Sequence, residues 1–75
     1  MRIRNKQGYT RRKIKKTFKY FNSSDKEITD AKVLDRIHHL VIPPNWKDVW
    51  IAKNAQSDLQ AYGFDQKDRK QYIYH

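Results

Sequence analysis

The seven residues Arg69-Lys70-Gln71-Tyr72-Ile73-Tyr74-His75 place three kinds of polar chemistry in one short run. Arg and Lys neutralise phosphates, Gln offers the donor and acceptor pair that fits an adenine edge, and Tyr hydroxyls reach phosphate oxygens. On a strand, successive side chains alternate between faces. Tyr72 and Tyr74 would then share one face, and Arg69, Gln71 and Ile73 the other. This set suits contact with nucleic acid better than it suits catalysis. The run stops at His75 in mid-alternation, so the chain is expected to be a piece of a longer protein, cut before a further domain.

A second set of candidate phosphate ligands lies at the other end. Residues 1–20 hold nine Lys/Arg (Arg2, Arg4, Lys6, Arg11, Arg12, Lys13, Lys15, Lys16, Lys19) and no acid, whereas residues 21–75 hold eight of each sign. The net charge of +9 therefore resides in the first twenty residues. A like-charged block repels itself unless a polyanion is near, and Lys and Arg gain by displacing counterions from phosphates. Tyr9, Ile14 and Phe18 interleave with the charges, which favours nucleic acid over a merely solvated tail. Arg11, Arg12 and Lys13 are the candidates here. Two rivals fit the charge alone: a basic RNA-binding module of the ribosome-associated type, and a domain that docks on an acidic protein.

No set of residues completes an active site, and none is assigned a catalytic role. His38 and His39 are adjacent, so on a helix they point about 100° apart, with no third ligand at metal spacing. Asp65 and Asp68 flank a turn and are expected to hydrogen-bond its backbone. Gly8 and Gly63 are the two glycines, too few for a phosphate-cradling loop, and no cofactor is implied. There is no cysteine, which fits a cytoplasmic setting. No apolar run approaches the ~20 residues of a membrane span, and the basic start, with no apolar stretch after it, does not read as a secretory signal.

Seventy-five residues allow one domain, and a domain of this size buries only about 60% of its unfolded surface. Residues 1–15 show little periodicity and read as a basic arm, with the folded domain over 16–75. Thr17 to Phe21 is β-prone, Asn22 to Asp25 is a turn, and Glu27-Ile28 reads as a short pairing strand. A helix is expected over about 30–40, capped by Thr29 or Asp30, with Ala31, Leu34, Ile37, His38 and Val41 as its apolar stripe. It must end before Pro43-Pro44, and Trp46 is placed to seal it against a sheet. Val49 to Ala52, Leu59 to Phe64 and Arg69 to Tyr74 read as strands, with loops at 54–58 and 65–68. Gly63 marks a bulge or a close approach. Phe18, Trp46, Trp50 or Ile51, Tyr62 and Phe64 are the expected large core residues. The fold class is α+β: a small antiparallel sheet of three to five strands with one main helix packed on it.

Three blocks in order carry a family resemblance. Ile42-Pro43-Pro44-x-Trp46-x-Asp48-Val49-Trp50-Ile51, then Leu59-Gln60-Ala61-x-Gly63-x-Asp65, then Arg69-Lys70-Gln71-Tyr72-x-Tyr74-His75 resemble the N-terminal domain of small type IB DNA topoisomerases, the bacterial and poxvirus-like kind. Arg11-Arg12 and Phe18-x-Tyr20 extend the match weakly toward the start. The resemblance implies a two-domain clamp on duplex DNA, monomeric and free of the membrane. It would relax supercoils without ATP or an obligate metal, through a 3′-phosphotyrosyl link formed by the C-terminal catalytic domain. None of those catalytic residues falls in this chain, which alone is expected to be inactive. By motif position, Gln71, Tyr72 and Tyr74 match residues that touch DNA at the cleavage site, flanked by Arg69 and Lys70. In a bacterium such a protein would sit at the nucleoid. The sequence departs from the pattern at Asn45, at Asp68, where glycine is common, and over Ala52 to Ala55.

Overall fold

The structure is a computed structural model that describes residues 8–75. Five strands and one helix follow in the order β1 (Gly8–Ile14), β2 (Thr17–Phe21), α1 (Ala31–His39), β3 (Lys47–Ala52), β4 (Leu59–Phe64) and β5 (Lys70–Tyr74). The strands form one antiparallel sheet in the order β2-β1-β3-β4-β5. The α+β class and the single main helix agree with the sequence reading.

The helix begins where Asp30, in extended conformation, accepts the backbone N–H of Lys32 through its side chain. That hydrogen bond satisfies one of the donors left open at a helix start. The helix closes at Leu40, and Val41 follows with φ 52° while its N–H donates to the His38 carbonyl. A β-branched residue rarely takes that conformation. The turn throws Val41 out to 80% exposure and sends the chain into Pro43-Pro44. The apolar stripe is therefore Val33, Leu34, Ile37 and Leu40, not the expected Ala31, His38 and Val41, which are all exposed.

Ile37 packs at the centre of the core with Tyr20, Val49, Ile51 and Ala61, and Ile51 and Ala61 are fully buried. Phe18, Trp46 and Ile73 close over this cluster. A Cβ on Gly63 would stand 2.7 Å from Trp46 Cε3, so Gly63 is the point of close approach that seats the indole.

Three further readings are corrected. The segment 8–14 is strand β1 within the sheet, not a free arm: Thr10 to Ile14 pair with Thr17 to Phe21, and Gly8 to Thr10 pair with Trp50 to Ala52. Inter-strand hydrogen bonding on both sides gives this charged stretch its order. The part of the arm over residues 1–7 lies outside the described residues. Tyr62 and Phe64, expected in the core, are half-buried on the face away from it, where Tyr62 stacks on Trp50 at 5.3 Å between ring centroids. Of the Glu27-Ile28 strand there remains a single bridge between Phe21 and Glu27.

Candidate nucleic-acid interface

Strand β5 is an edge strand, paired only with β4. Its burial alternates along its length: Lys70, Tyr72 and Tyr74 are exposed, while Gln71 and Ile73 are half-buried. Tyr72 and Tyr74 are 47% and 66% exposed, large values for rings, and they stack on each other at 6.0 Å and 27°. Lys70 places its ammonium 4.3 Å from the Tyr62 ring centroid and 5.5 Å from that of Tyr72. The register Trp50↔Tyr62↔Tyr72 continues this face inward across three strands. The result is an open ledge of aromatic rings with a cation held over it, a surface on which bases stack and phosphates are drawn.

Gln71 and Arg69 are held differently. The Asp65 carboxylate accepts the backbone N–H groups of Lys67 and Arg69 on Oδ1, both at 2.9 Å. Its Oδ2 accepts Arg69 Nε at 2.9 Å and Gln71 Nε2 at 3.1 Å. One carboxylate thus shapes the β4–β5 turn and orients two candidate contact residues. With one donor fixed on Asp65, the Gln71 amide keeps its carbonyl oxygen for another partner. Asp68 takes φ 62° in this turn, so an Asp does there what a glycine would otherwise do. Asp65 was expected only to tie the turn backbone; its grip on Arg69 and Gln71 is a tertiary result of the hairpin register.

Asp65 is held down to a pKa of about 2, chiefly by the Arg69 backbone N–H, with further lowering from the Gln71 and Arg69 side chains and the Lys67 N–H, against desolvation. A carboxylate with a depressed pKa stabilises the fold fully above its unfolded value and loses that contribution as pH falls toward the folded one. The order of this turn should therefore persist to pH 4 and fail between pH 4 and about 2. Carboxyl-carbon NMR of Asp65 checks this: a midpoint near 4 would mean that the network does not form in solution.

The N-terminal candidates divide. Arg11 turns toward the helix side of the sheet, where Nη1 donates to the Ile42 carbonyl at 3.4 Å and Nη2 to those of Pro43 and Trp46 at 2.9 and 3.1 Å. Its guanidinium lies 4.2 Å from the Phe18 centroid. Desolvation lowers its pKa, with Tyr20 acting in the opposite direction. Arg12 pairs with Asp25 at 2.7 Å and lies 4.3 Å from the Phe21 centroid. Lys13 is exposed. Arg11 and Arg12 thus have partners within the fold, and neither is brought to the β5 ledge.

His38 presents its ring edge-on to Tyr20 at 6.2 Å, and His39 Nδ1 lies 2.8 Å from the Asp35 carbonyl. Among the described residues, no three His, Cys, Asp or Glu side chains converge as a metal site would require, and no helix is long and apolar enough to cross a membrane.

The architecture defines a small α+β domain: one antiparallel sheet, one face closed by a helix and the other ending in an exposed aromatic and cationic ledge. Residues 17–65 match the family described as bacterial DNA topoisomerase IB, N-terminal domain, and the chain belongs to that family. It is also 41% identical over 68 residues to a DNA topoisomerase 1B of Acanthamoeba polyphaga mimivirus. That match covers 91% of this chain and 20% of the viral protein's length.

Proposed function

We propose that this domain grips duplex DNA and positions it for a catalytic domain of the same protein, which relaxes supercoils without ATP through a 3′-phosphotyrosyl intermediate. The observation that carries the reading is edge strand β5 itself: Lys70, Tyr72 and Tyr74 stand exposed on one face, and Arg69 and Gln71 are held by Asp65 on the other. The exposed tyrosines supply hydroxyls for phosphate oxygens, Gln71 offers a base-edge contact, and the cations meet phosphates. Chemistry is left to the catalytic domain, and the protein acts as a monomer in the cytoplasm, off the membrane. Family membership favours duplex DNA over RNA as the ligand.

The test is the double variant Tyr72→Phe/Tyr74→Phe titrated with duplex DNA. Two lost hydroxyl contacts, each worth about 0.5–1.5 kcal/mol, should raise Kd about tenfold. The melting temperature should stay put, because both rings are exposed and Phe keeps their packing. An unchanged Kd would reduce β5 to a packing strand.

A further inference from the structure

The β1–β2 hairpin ends in a two-residue loop, Lys15-Lys16, closed by the pair Ile14↔Thr17. Both lysines have positive φ, 50° and 70°. A two-residue loop with φ positive at both centres is the type I′ hairpin form, which strongly favours Asn-Gly or Asp-Gly. Two lysines there are costly twice over, in backbone conformation and in like-charge repulsion. Residues 12–19 carry Arg12, Lys13, Lys15, Lys16 and Lys19 with no acid among them. Arg12 and Lys19 are paired with Asp25 and Glu27, in the segment that follows β2. Lys13, Lys15 and Lys16 stand exposed at the tip.

The strand directions fix where this tip points. Following β1 from Thr10 to Ile14 moves, in the neighbouring strands, from Trp50 toward Lys47, from Tyr62 toward Phe64 and from Tyr72 toward Lys70. The hairpin tip and the β4–β5 turn therefore project from the same end of the sheet. That turn and the residues just after it carry Lys67, Arg69 and Lys70. Between the two lie three strand spacings, roughly 14 Å. The major groove of B-DNA is about 12 Å wide.

We propose that Lys13, Lys15 and Lys16 form a second phosphate anchor. The sheet end would straddle a major groove, with this tip on one phosphate backbone and the Lys67–Lys70 corner on the other. The inference rests on the duplex-DNA reading above and transfers the N-terminal grip from Arg11 and Arg12, which the fold engages, to the hairpin tip. The strained turn then has a purpose: it holds two ammonium groups at the farthest point of a stiff ribbon.

The variant Lys15→Asn/Lys16→Gly removes both charges while supplying the residues that a type I′ loop prefers, so the fold is kept. Duplex-DNA binding of the 75-residue chain is followed by fluorescence anisotropy from 50 to 200 mM NaCl, beside thermal melting. Loss of two phosphate contacts should make the slope of log K against log salt shallower by about 1.8. Lys15→Arg/Lys16→Arg should retain the parental slope. A parental slope in the Asn-Gly variant, with DNA still bound, overturns the anchor and leaves the β5 reading standing. Absence of duplex binding by the parent chain overturns both.

Discussion

Arg11→Ala is expected to lower the stability of the domain by about 3 kcal/mol without making its salt-dependent DNA binding any shallower. The guanidinium reaches three backbone carbonyls, those of Ile42, Pro43 and Trp46, 31 to 35 residues away in sequence. These carbonyls belong to the connector between α1 and β3, where two prolines offer no N–H of their own. Truncation leaves the carbonyls short of a donor in a half-buried place and removes the cation from the Phe18 ring. Hydrogen bonds to a charged group are worth about 1.5–3 kcal/mol each, and they do not add when they share one donor group. A domain of this size has about 4–11 kcal/mol in total, so the melting temperature should drop by about 12–24 °C. Arg11→Lys should rescue little, because a single ammonium on a shorter stem cannot reach Ile42 and the Pro43–Trp46 pair together, as the two guanidinium nitrogens do. Urea unfolding measures the first effect, and a DNA titration well below the melting temperature measures the second. A slope shallower by about 0.9 with stability intact would restore Arg11 to the phosphate ligands.

The contacts of Arg11 show where sequence patterns stop. A basic run reads as solvated or DNA-bound because charge avoids interiors, yet Arg11 finds its partners in a segment far along the chain. No local period encodes that. The same holds for β1: its alternation of Tyr9, Arg11 and Lys13 against Thr10, Arg12 and Ile14 looks structureless, because cations occupy both faces. What orders it is pairing with β2 on one side and β3 on the other. A two-residue gap between Ile14 and Thr17 was the available signal, but Lys-Lys conceals a loop that Asn-Gly would announce.

Where side chains obey a period and the backbone has punctuation, the reading was close. Asp30 and Pro43 bracket the helix, and the alternation through 47–74 gives three strands whose turns carry Asn and Asp. The helix stripe went astray at its ends because Val41, apolar and at helical spacing, lies past the point where the chain turns out of the helix. The bulk of Tyr62 and Phe64 suggests burial, but bulk does not say which face of the sheet is covered. The sheet is buried by α1 on one face only, and these two rings belong to the other.

Gln60→Leu should cost about 3 kcal/mol, although it replaces a polar residue by an apolar one of similar size at a buried position. Gln60 is 4% exposed, and its amide is used at both ends. Oε1 accepts Arg36 Nη2 at 2.7 Å, and Nε2 donates to the carbonyls of Ala55 and Ser57. Leu opens no cavity, so the loss is electrostatic: two carbonyls and a guanidinium lose their partner in a place that water reaches poorly. The damage should be local first. Gln60 ties the 54–58 loop to α1 at the irregularity where β4 meets β5, and there Leu59 pairs with Tyr74 while the His75 N–H donates to the Asp58 carbonyl. Freeing the loop therefore loosens Tyr74, one of the two tyrosines on the ledge. Hydrogen exchange should show the His75 amide, which donates to the Asp58 carbonyl, losing protection before the amides of Val49 to Ala52, which the sheet core holds. Gln60→Glu keeps an acceptor for Arg36 but turns an acceptor-only oxygen on the Ala55 and Ser57 carbonyls, so it should cost no less than the Leu variant if the loop is held through Nε2. A stability change below about 1 kcal/mol for the Leu variant, with the His75 amide still protected, would mean that the loop is held by its own turns, Gln56 and Ser57 on Asn54, and not by Gln60.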